Sequence, residues 1–340
     1  MIVDLRSDTV TKPTPAMLEA MMQAEVGDDV FGEDPTVQKL EEKCARLLGM
    51  DAAMYCPSGT MTNQIGIKVL TQPYEEVICY KGSHIYKYEG GGLAGNSNVG
   101  TRLLAGDRGR ISLDEVAASI NPDDFHYAIT SVLALENTVV RQAGSYYTLP
   151  QIKGLCDFAH SKGLKTHLDG ARLFNALTET GDAPSAIGKY FDTVSICLSK
   201  GLGAPIGSVL LCNKEFESKA RRVRKAFGGG MRQVGYLAAA GIYALDHHVK
   251  RLKEDHIRAK EIGKAAAKLP IIKSMMPVDT NMVIFELAAQ VSPEKFVAAL
   301  ELHQVKALAF SATEIRMVTH LDFDDRMLER TVEVLKKLHF

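Results

Sequence analysis

An apolar run from Asp192 to Ser199 ends in Lys200, and the stretch "GLGAPIGS" follows at once. A lysine at the end of a buried strand loses hydration, which disfavours its charged form, and the neutral amine is a nucleophile. A second apolar run, "LKTHLD", ends in Asp169 and turns directly into Gly170-Ala171-Arg172. Roughly thirty residues separate the lysine from the aspartate, about the length of one strand–helix–strand unit. Both side chains would then stand at carboxyl ends of strands, where open α/β sheets collect their ligands. An amine and a carboxylate placed there suit a cofactor whose aldehyde joins a lysine as a Schiff base and whose ring nitrogen faces an acid. That cofactor is pyridoxal phosphate. A carboxylate beside the ring nitrogen favours the protonated ring by roughly 1–4 kcal/mol, and the protonated ring draws electrons from a substrate carbanion.

Such a cofactor also needs an anion site and a cover for its ring. "PSGT" at 57–60 puts Ser58, Gly59 and Thr60 at a strand-to-helix turn, where free N–H groups and small hydroxyls hold phosphate. His84, in "KGSHIYKYEGGG", has a shape that stacks on a ring, with glycines beside it that permit close approach. An amino-acid substrate presents a carboxylate, and a guanidinium is its usual grip. Arg316 lies inside the apolar pattern "EIRMVTH", Arg172 follows Asp169 closely, and Arg232 follows three glycines in "FGGGMRQ". Each of these residues alone has a plainer role: a helix cap, a packed loop histidine, a solvated arginine, a surface lysine. The combination is what points to chemistry.

The elements that must position them alternate. "AAMYC" (52–56), "EVICY" (76–80), "SVLALE" (131–136), "LKTHLD" (164–169), "DTVSICLS" (192–199) and "GSVLLC" (207–212) read as buried strands, with amphipathic helices such as Leu149 to Ser161 between several of them. This predicts an α/β fold with a mostly parallel central sheet and helices on both faces. Thr14-Pro15 and Asp34-Pro35 each open a helix with a cap residue before proline. Val37, Leu40, Cys44, Leu47 and Leu48 then follow at helical spacing, with Gly49 as the stop. From about Gln233 the chain reads as one long charged helical region, and the tail as a smaller α+β C-terminal domain. Residues 1–14 read as a polar loop or arm.

Composition bounds the function. The 340 residues are 46% hydrophobic and 24% charged, with a formal net charge of -1. No polybasic segment argues for nucleic acid or a membrane surface. The six cysteines show no CxxC spacing and sit mostly in apolar runs, so they read as reduced core thiols, with no metal site implied. The start lacks a signal-peptide core, and no apolar run approaches the ~20 residues of a membrane span. The expectation is a cytoplasmic enzyme.

In number and order, the segments "DLRSDTVTKPTPAM", "GDDVFGEDPTV", "PSGTMTNQ", "HIYKYEGGG", "ALENT", "HLDGARLFNA", "SICLSKGLGAPIGS", "FGGGMRQ", "TNMV" and "RMVTHLD" closely resemble the low-specificity L-threonine aldolase family. That family consists of pyridoxal-phosphate enzymes of the aspartate-aminotransferase fold type, within the beta-eliminating lyase superfamily. The resemblance implies a pyridoxal-phosphate-dependent transferase-like fold. It divides the chain into an arm (1–14), a large cofactor domain (15–240), and a linking helix with a small C-terminal domain (241–340). It makes Lys200 the Schiff-base lysine, Asp169 the ring-nitrogen partner, Ser58, Gly59 and Thr60 the phosphate cradle, and His84 the stacking histidine near the substrate hydroxyl. Arg172 matches a residue near the ring hydroxyl and substrate carboxylate, and Ser7 and Arg316 match carboxylate-binding positions. Arg232 resembles an arginine that reaches the phosphate of a neighbouring subunit, and His126 a second histidine on the substrate side. Homodimers or homotetramers with shared active sites are implied. So is cleavage of L-threonine or related β-hydroxy-α-amino acids to glycine and an aldehyde, with His84, His126 or a held water as base.

One stretch departs from the pattern. The family commonly reads "ENTHN", and here Val139 and Val140 replace the polar pair in "ENTVVRQAGS". A less polar loop and a bulkier or more apolar β-substituent are the expectation. Two rivals stand beside the aldolase reading. One is another reaction of the same cofactor, such as β-elimination, racemisation or transamination, since geometry decides which bond breaks. The other is a non-catalytic nucleotide-binding protein, against which the chain offers neither GxGxxG after its first strand nor GxxxxGK[ST].

Overall fold

The computed structural model describes residues 1–338 and 340. Seven strands form the main sheet: β1 (Ala52–Cys56), β2 (Glu76–Tyr80), β3 (Gly100–Leu104), β4 (Thr130–Glu136), β5 (Lys165–Gly170), β6 (Thr193–Cys197) and β7 (Ser208–Cys212). They lie in the order β1-β7-β6-β5-β4-β2-β3. The run from β3 to β6 is parallel, and β7 is antiparallel to both of its neighbours. Reversing twice, β1 therefore ends at the same edge as the parallel strands, with Cys56, Ser208 and Cys197 in register. Every residue of β1, β6 and β7 is buried, as continuous apolar runs covered on both faces must be.

The proline-led helices form as their caps dictate. In α1 (Pro15–Met22) the Thr14 hydroxyl accepts from the Met17 N–H at 3.2 Å. In α2 (Pro35–Leu48) one Asp34 oxygen accepts from the N–H groups of Thr36 and Val37 at 3.1 and 3.0 Å. Gly49 closes α2 at φ +65°, a left-handed position that glycine takes without strain. The buried stripe of α2 includes Val37, Leu40, Cys44 and Leu48, four of the five residues that the spacing singles out; Leu47 is half-buried.

A second, antiparallel sheet follows: β8 (Ile272–Met275), β9 (Met282–Leu287), β10 (Leu308–Ala309) and β11 (Glu314–Val318), in the order β10-β11-β9-β8. Its core centres on Phe285 and Phe296, whose rings meet edge to face at 5.6 Å. This small sheet follows the mostly parallel one, the architecture that the strand pattern predicts.

Three local expectations change. β3 is an edge strand whose "GTRLL" is half exposed, so it lacks the apolar run that betrays a buried strand. The region after Gln233 is two helices, Gly235–His247 and Leu252–Ala266, and the first is apolar rather than charged. The amino terminus is not all loop: Val3–Asp4 pairs in parallel with Val305–Lys306, and Val3 and Leu5 are fully buried in the core of the small sheet. A two-residue strand carries no readable period. Among the described residues no helix is long and apolar enough to cross a membrane.

Leu5 therefore anchors the segment that leads to Ser7 and Asp8. Leu5→Ala is expected to cost about 2–5 kcal/mol, read as a lowered denaturant midpoint with an unchanged slope.

Candidate active site

The carboxyl edge of the main sheet gathers the loops that follow β1, β2, β4, β5 and β6. Lys200 comes three residues after β6, half-buried, and its Nζ makes no hydrogen bond among the described residues. Asp169 is 2% exposed near the end of β5, with Glu136 beside it in register at the end of β4. The Ala171 N–H donates to Asp169 Oδ1 at 3.1 Å, and Asn63 Nδ2 donates to Oδ2 at 3.0 Å.

Asn63 belongs to α3 (Gly59–Leu70), the helix that leaves the end of β1. Its amide nitrogen also donates to Glu89 Oε1 at 2.8 Å, and its oxygen faces His167 Nε2 at 3.1 Å. Gln64 donates to the other Glu89 oxygen at 2.6 Å. Glu89 Oε1 in turn meets His84 Nδ1 at 2.9 Å. His84 heads the short helix α4 (His84–Lys87), and its backbone N–H donates to Glu136 Oε2 at 2.9 Å. Asp169, Asn63, Glu89, His84 and Glu136 thus form one connected frame, and possible ligand atoms of His84, Glu89 and Asp169 all lie within 4.8 Å.

The frame sets its own electrostatics. Burial opposes a charge on His84, but the Glu89 hydrogen bond and the Asp169 charge raise its pKa above the ordinary imidazole value. Desolvation, then the charge of Asp169, pushes Glu136 up to about 7 against the pull of the Val140 and His84 N–H groups. Desolvation lowers His167 to about 4, so its ring is neutral behind Asn63.

On the other side, Arg172 Nε and Nη2 donate to the two oxygens of Asp8 at 2.7 and 2.6 Å, and both residues are buried. Burial alone would push the Asp8 carboxyl up, but Arg172, Lys200 and Arg316 together hold it at about 2. Arg316, on β11, donates to the Arg6 carbonyl at 3.0 Å, while its Nε is buried with no partner among the described residues. Desolvation and the neighbouring Arg172 lower Arg316 to about 10. Ser7 is half-buried beside Asp8, and its Oγ accepts from the Thr9 N–H at 3.2 Å.

Ser58 caps α3 by accepting from the Met61 N–H at 3.2 Å, and Thr60 is exposed on the first turn. A Cβ on Gly59 would stand 2.5 Å from Cys197 Sγ, so only glycine fits. Close by, Ser208 Oγ is buried with no partner among the described residues. An orphaned hydroxyl, a glycine-only approach and free helix N–H groups fit the phosphate of a bound cofactor, and Lys200 and Asp169 fit its aldehyde and ring nitrogen.

Two expected residues do not join them. Arg232 is exposed, with its Nη1 2.8 Å from Asp28 Oδ2. His126 lies in the loop before β4, at the opposite end of that strand from Glu136. It is exposed there, with Nδ1 2.8 Å from Asp124 Oδ1. The strand between them spans about 20 Å, so His126 cannot act at the site of its own chain.

The family model described as beta-eliminating lyase matches residues 4–290. The low-specificity L-threonine aldolase of Escherichia coli (strain K12) is 42% identical over 333 residues, covering 96% of each chain. The chain belongs to the low-specificity L-threonine aldolase family, within the beta-eliminating lyases. The low-specificity L-threonine aldolase 1 of Arabidopsis thaliana is 39% identical, covering 94% of this chain and 91% of that one. A threonine aldolase structure from Leishmania major shares the fold with a TM-score of 0.84, at 21% identity, over 98% of this chain and 99% of that one.

For this family member, sequence reasoning singled out neither Asp8, Asn63 nor Glu89 as site residues. Glu89 sits five residues after His84 in "HIYKYE" and Asp8 beside Ser7, so each had a neighbour to flag it. Asn63 had no such signal, because only the fold of α3 against the sheet brings it to Asp169. Asp8→Asn leaves Arg172 buried without its charge partner and is expected to cost about 3–5 kcal/mol near neutral pH. Because folding depresses the Asp8 pKa, its stabilisation is complete above about pH 4 and is lost as pH falls through about 2. The stability gap between wild type and variant, measured by denaturant titration, should narrow across that window.

Proposed function

We propose that the chain is a pyridoxal-phosphate-dependent aldolase that cleaves L-threonine, L-allo-threonine or related β-hydroxy-α-amino acids to glycine and an aldehyde. The observation that carries this reading is the hydrogen-bonded frame tying Asp169 to His84 through Asn63 and Glu89, near Lys200, whose Nζ has no hydrogen-bond partner among the described residues. Ser58, Gly59 and Thr60 would hold the cofactor phosphate, Lys200 its aldehyde carbon, Asp169 its ring nitrogen, Arg172 its ring-hydroxyl side and His84 its ring face. When bound, the cofactor supplies an electron sink for the pair released from a breaking substrate bond.

The protein's own groups select which bond breaks. Arg316, with a free Nε, and Ser7 take the substrate carboxylate, and Arg172 lines the same side, fixed in place by Asp8. Holding the carboxylate sets the rotation about the amino nitrogen–Cα bond and so aims Cα–Cβ for cleavage. His84 donates its Nδ1 proton to Glu89, which leaves the Nε2 lone pair free to accept the β-hydroxyl proton. As that proton leaves, the oxygen forms a carbonyl, Cα–Cβ breaks and the aldehyde departs. Protonation at Cα then yields glycine.

Self-association as a homodimer or homotetramer with shared sites belongs to the same reading. Arg232, exposed and far from burial in its own chain, would serve the phosphate of a second copy. The large unit would hold the cofactor (15–240), with 241–340 closing over it and 1–14 joining the two. A cytoplasmic setting is supported by six buried cysteines that form no disulfide.

Two tests address the chemistry. L-threonine given to the holoenzyme should yield glycine and acetaldehyde in equal amounts, and Lys200→Ala should abolish both this and the visible absorbance of bound cofactor. Ammonia and an oxo acid instead would mark β-elimination and overturn the reading. Glu89→Gln removes the partner that raises His84. The acidic limb of the kcat/KM profile, where His84 must lose its proton, should therefore move to lower pH.

A further inference from the structure

The replaced pair, Val139 and Val140, does not line an open pocket. Val139 is fully buried in the main core, and Val140 packs with Met282, Val318 and Phe310. The Val140 N–H is also held by Glu136 Oε1 at 2.9 Å. The valines serve as an anchor, and what they anchor is the next residue, Arg141. Its guanidinium carbon lies 4.2 Å from the centre of the Phe310 ring, and that of Arg316 lies 4.8 Å from the same centre. Sharing the Phe310 ring sets Arg141 beside Arg316, where its charge and that of Arg172 both act on Arg316, so Arg141 extends the row of cations.

The anions hold this row unevenly. Asp8 takes Arg172 through both of its oxygens. Among the described residues Arg316 donates only to the Arg6 carbonyl, and its Nε has no partner. Arg141 donates to the Phe310 carbonyl at 3.3 Å and forms a long ion pair with Glu314, Nη2 to Oε2, at 3.7 Å. Its side chain is 27% exposed and so open to a ligand. A guanidinium grips a carboxylate through two parallel N–H donors, so one substrate carboxylate satisfies one arginine. Arg141, held by Glu314 only at 3.7 Å, keeps N–H donors for a second anion. Phe310 is already stacked by guanidinium, which argues against an aromatic β-substituent there.

We propose that Arg141 is a specificity residue and that the preferred substrate is a dicarboxylic β-hydroxy-α-amino acid, its α-carboxylate on Arg316 and its β-carboxylate on Arg141. The inference rests on the aldolase reading and names its substrate class. For 3-hydroxyaspartate, the hydroxyl proton passes to the base, Cα–Cβ breaks, Cβ becomes an aldehyde carbon, and Cα gains a proton. The products are glycine and glyoxylate, and no oxidant or co-reactant is needed.

Isothermal titration of the holoenzyme with L-aspartate and L-alanine isolates binding, since neither has a β-hydroxyl to cleave. L-aspartate should bind at least about tenfold tighter, the scale of one charged bidentate contact. Arg141→Gln should erase that preference, and Arg141→Lys should restore part of it. Equal affinities in the wild type, or a preference that survives Arg141→Gln, would overturn the proposal. In initial-rate assays, 3-hydroxyaspartate should exceed L-threonine and phenylserine in kcat/KM, and Arg141→Gln should lower the hydroxyaspartate-to-threonine ratio about tenfold. Phenylserine leading that order would also overturn it. Threonine cleavage without an aspartate preference removes only the Arg141 assignment. An aspartate preference with no glycine from any substrate supports the anion site and removes the aldolase reading instead.

Discussion

The buried ion pair between Asp8 and Arg172 is the contact on which the site most depends. Two charges with no access to water are tolerated only because each oxygen meets its own N–H donor. The pair also joins parts of the chain that are far apart in sequence. Asp8 follows the short amino-terminal strand in the small core, and Arg172 follows β5 of the main sheet. Asn281, just before β9, reaches toward Asp8 at 3.5 Å, and Thr11 donates to the Lys200 carbonyl at 3.4 Å. Fixing the arginine therefore also fixes the segment beside the lysine and the edge of the second sheet.

The opposite wall depends on a different kind of contact. Asp169, Glu136 and Glu89 are three buried carboxyl groups close together, and like charges at such range disfavour one another. The structure separates them with neutral amides and N–H donors. Asn63 bridges two of them, and the backbone of α4 is held by the third. His167, kept neutral by burial, fixes which way the Asn63 amide faces. The result is a histidine whose Nδ1 is engaged and whose Nε2 is left available, an orientation that a surface loop alone would not hold.

Much of this was readable from residue types. Lys200 and Asp169 were expected at strand ends because apolar runs stop at them, and both stand at the carboxyl edge. The caps at Ser58, Thr14 and Asp34 follow from local hydrogen bonding, which needs only near neighbours in sequence. The family resemblance alone singles out His126, and its loop enters β4 at the end away from Glu136, so within one chain it stands apart from the frame. Glu89 and Asn63 passed unremarked because their chemistry is to hold other residues. The valines after Glu136 suggested an apolar pocket, since sequence does not tell a wall from an anchor.

By itself, the sequence determined the periodic elements, their caps and the strand ends that bear the amine and the acid, because these rest on contacts between residues close in the chain. It also carried the family, through many short segments in one order. The tertiary structure alone decided which side chains meet: Asp8 with Arg172, Asn63 with Asp169, Arg141 with Arg316 over Phe310. Those meetings depend on strand order and register, which sum weak contacts over the whole core, and no local pattern encodes that sum.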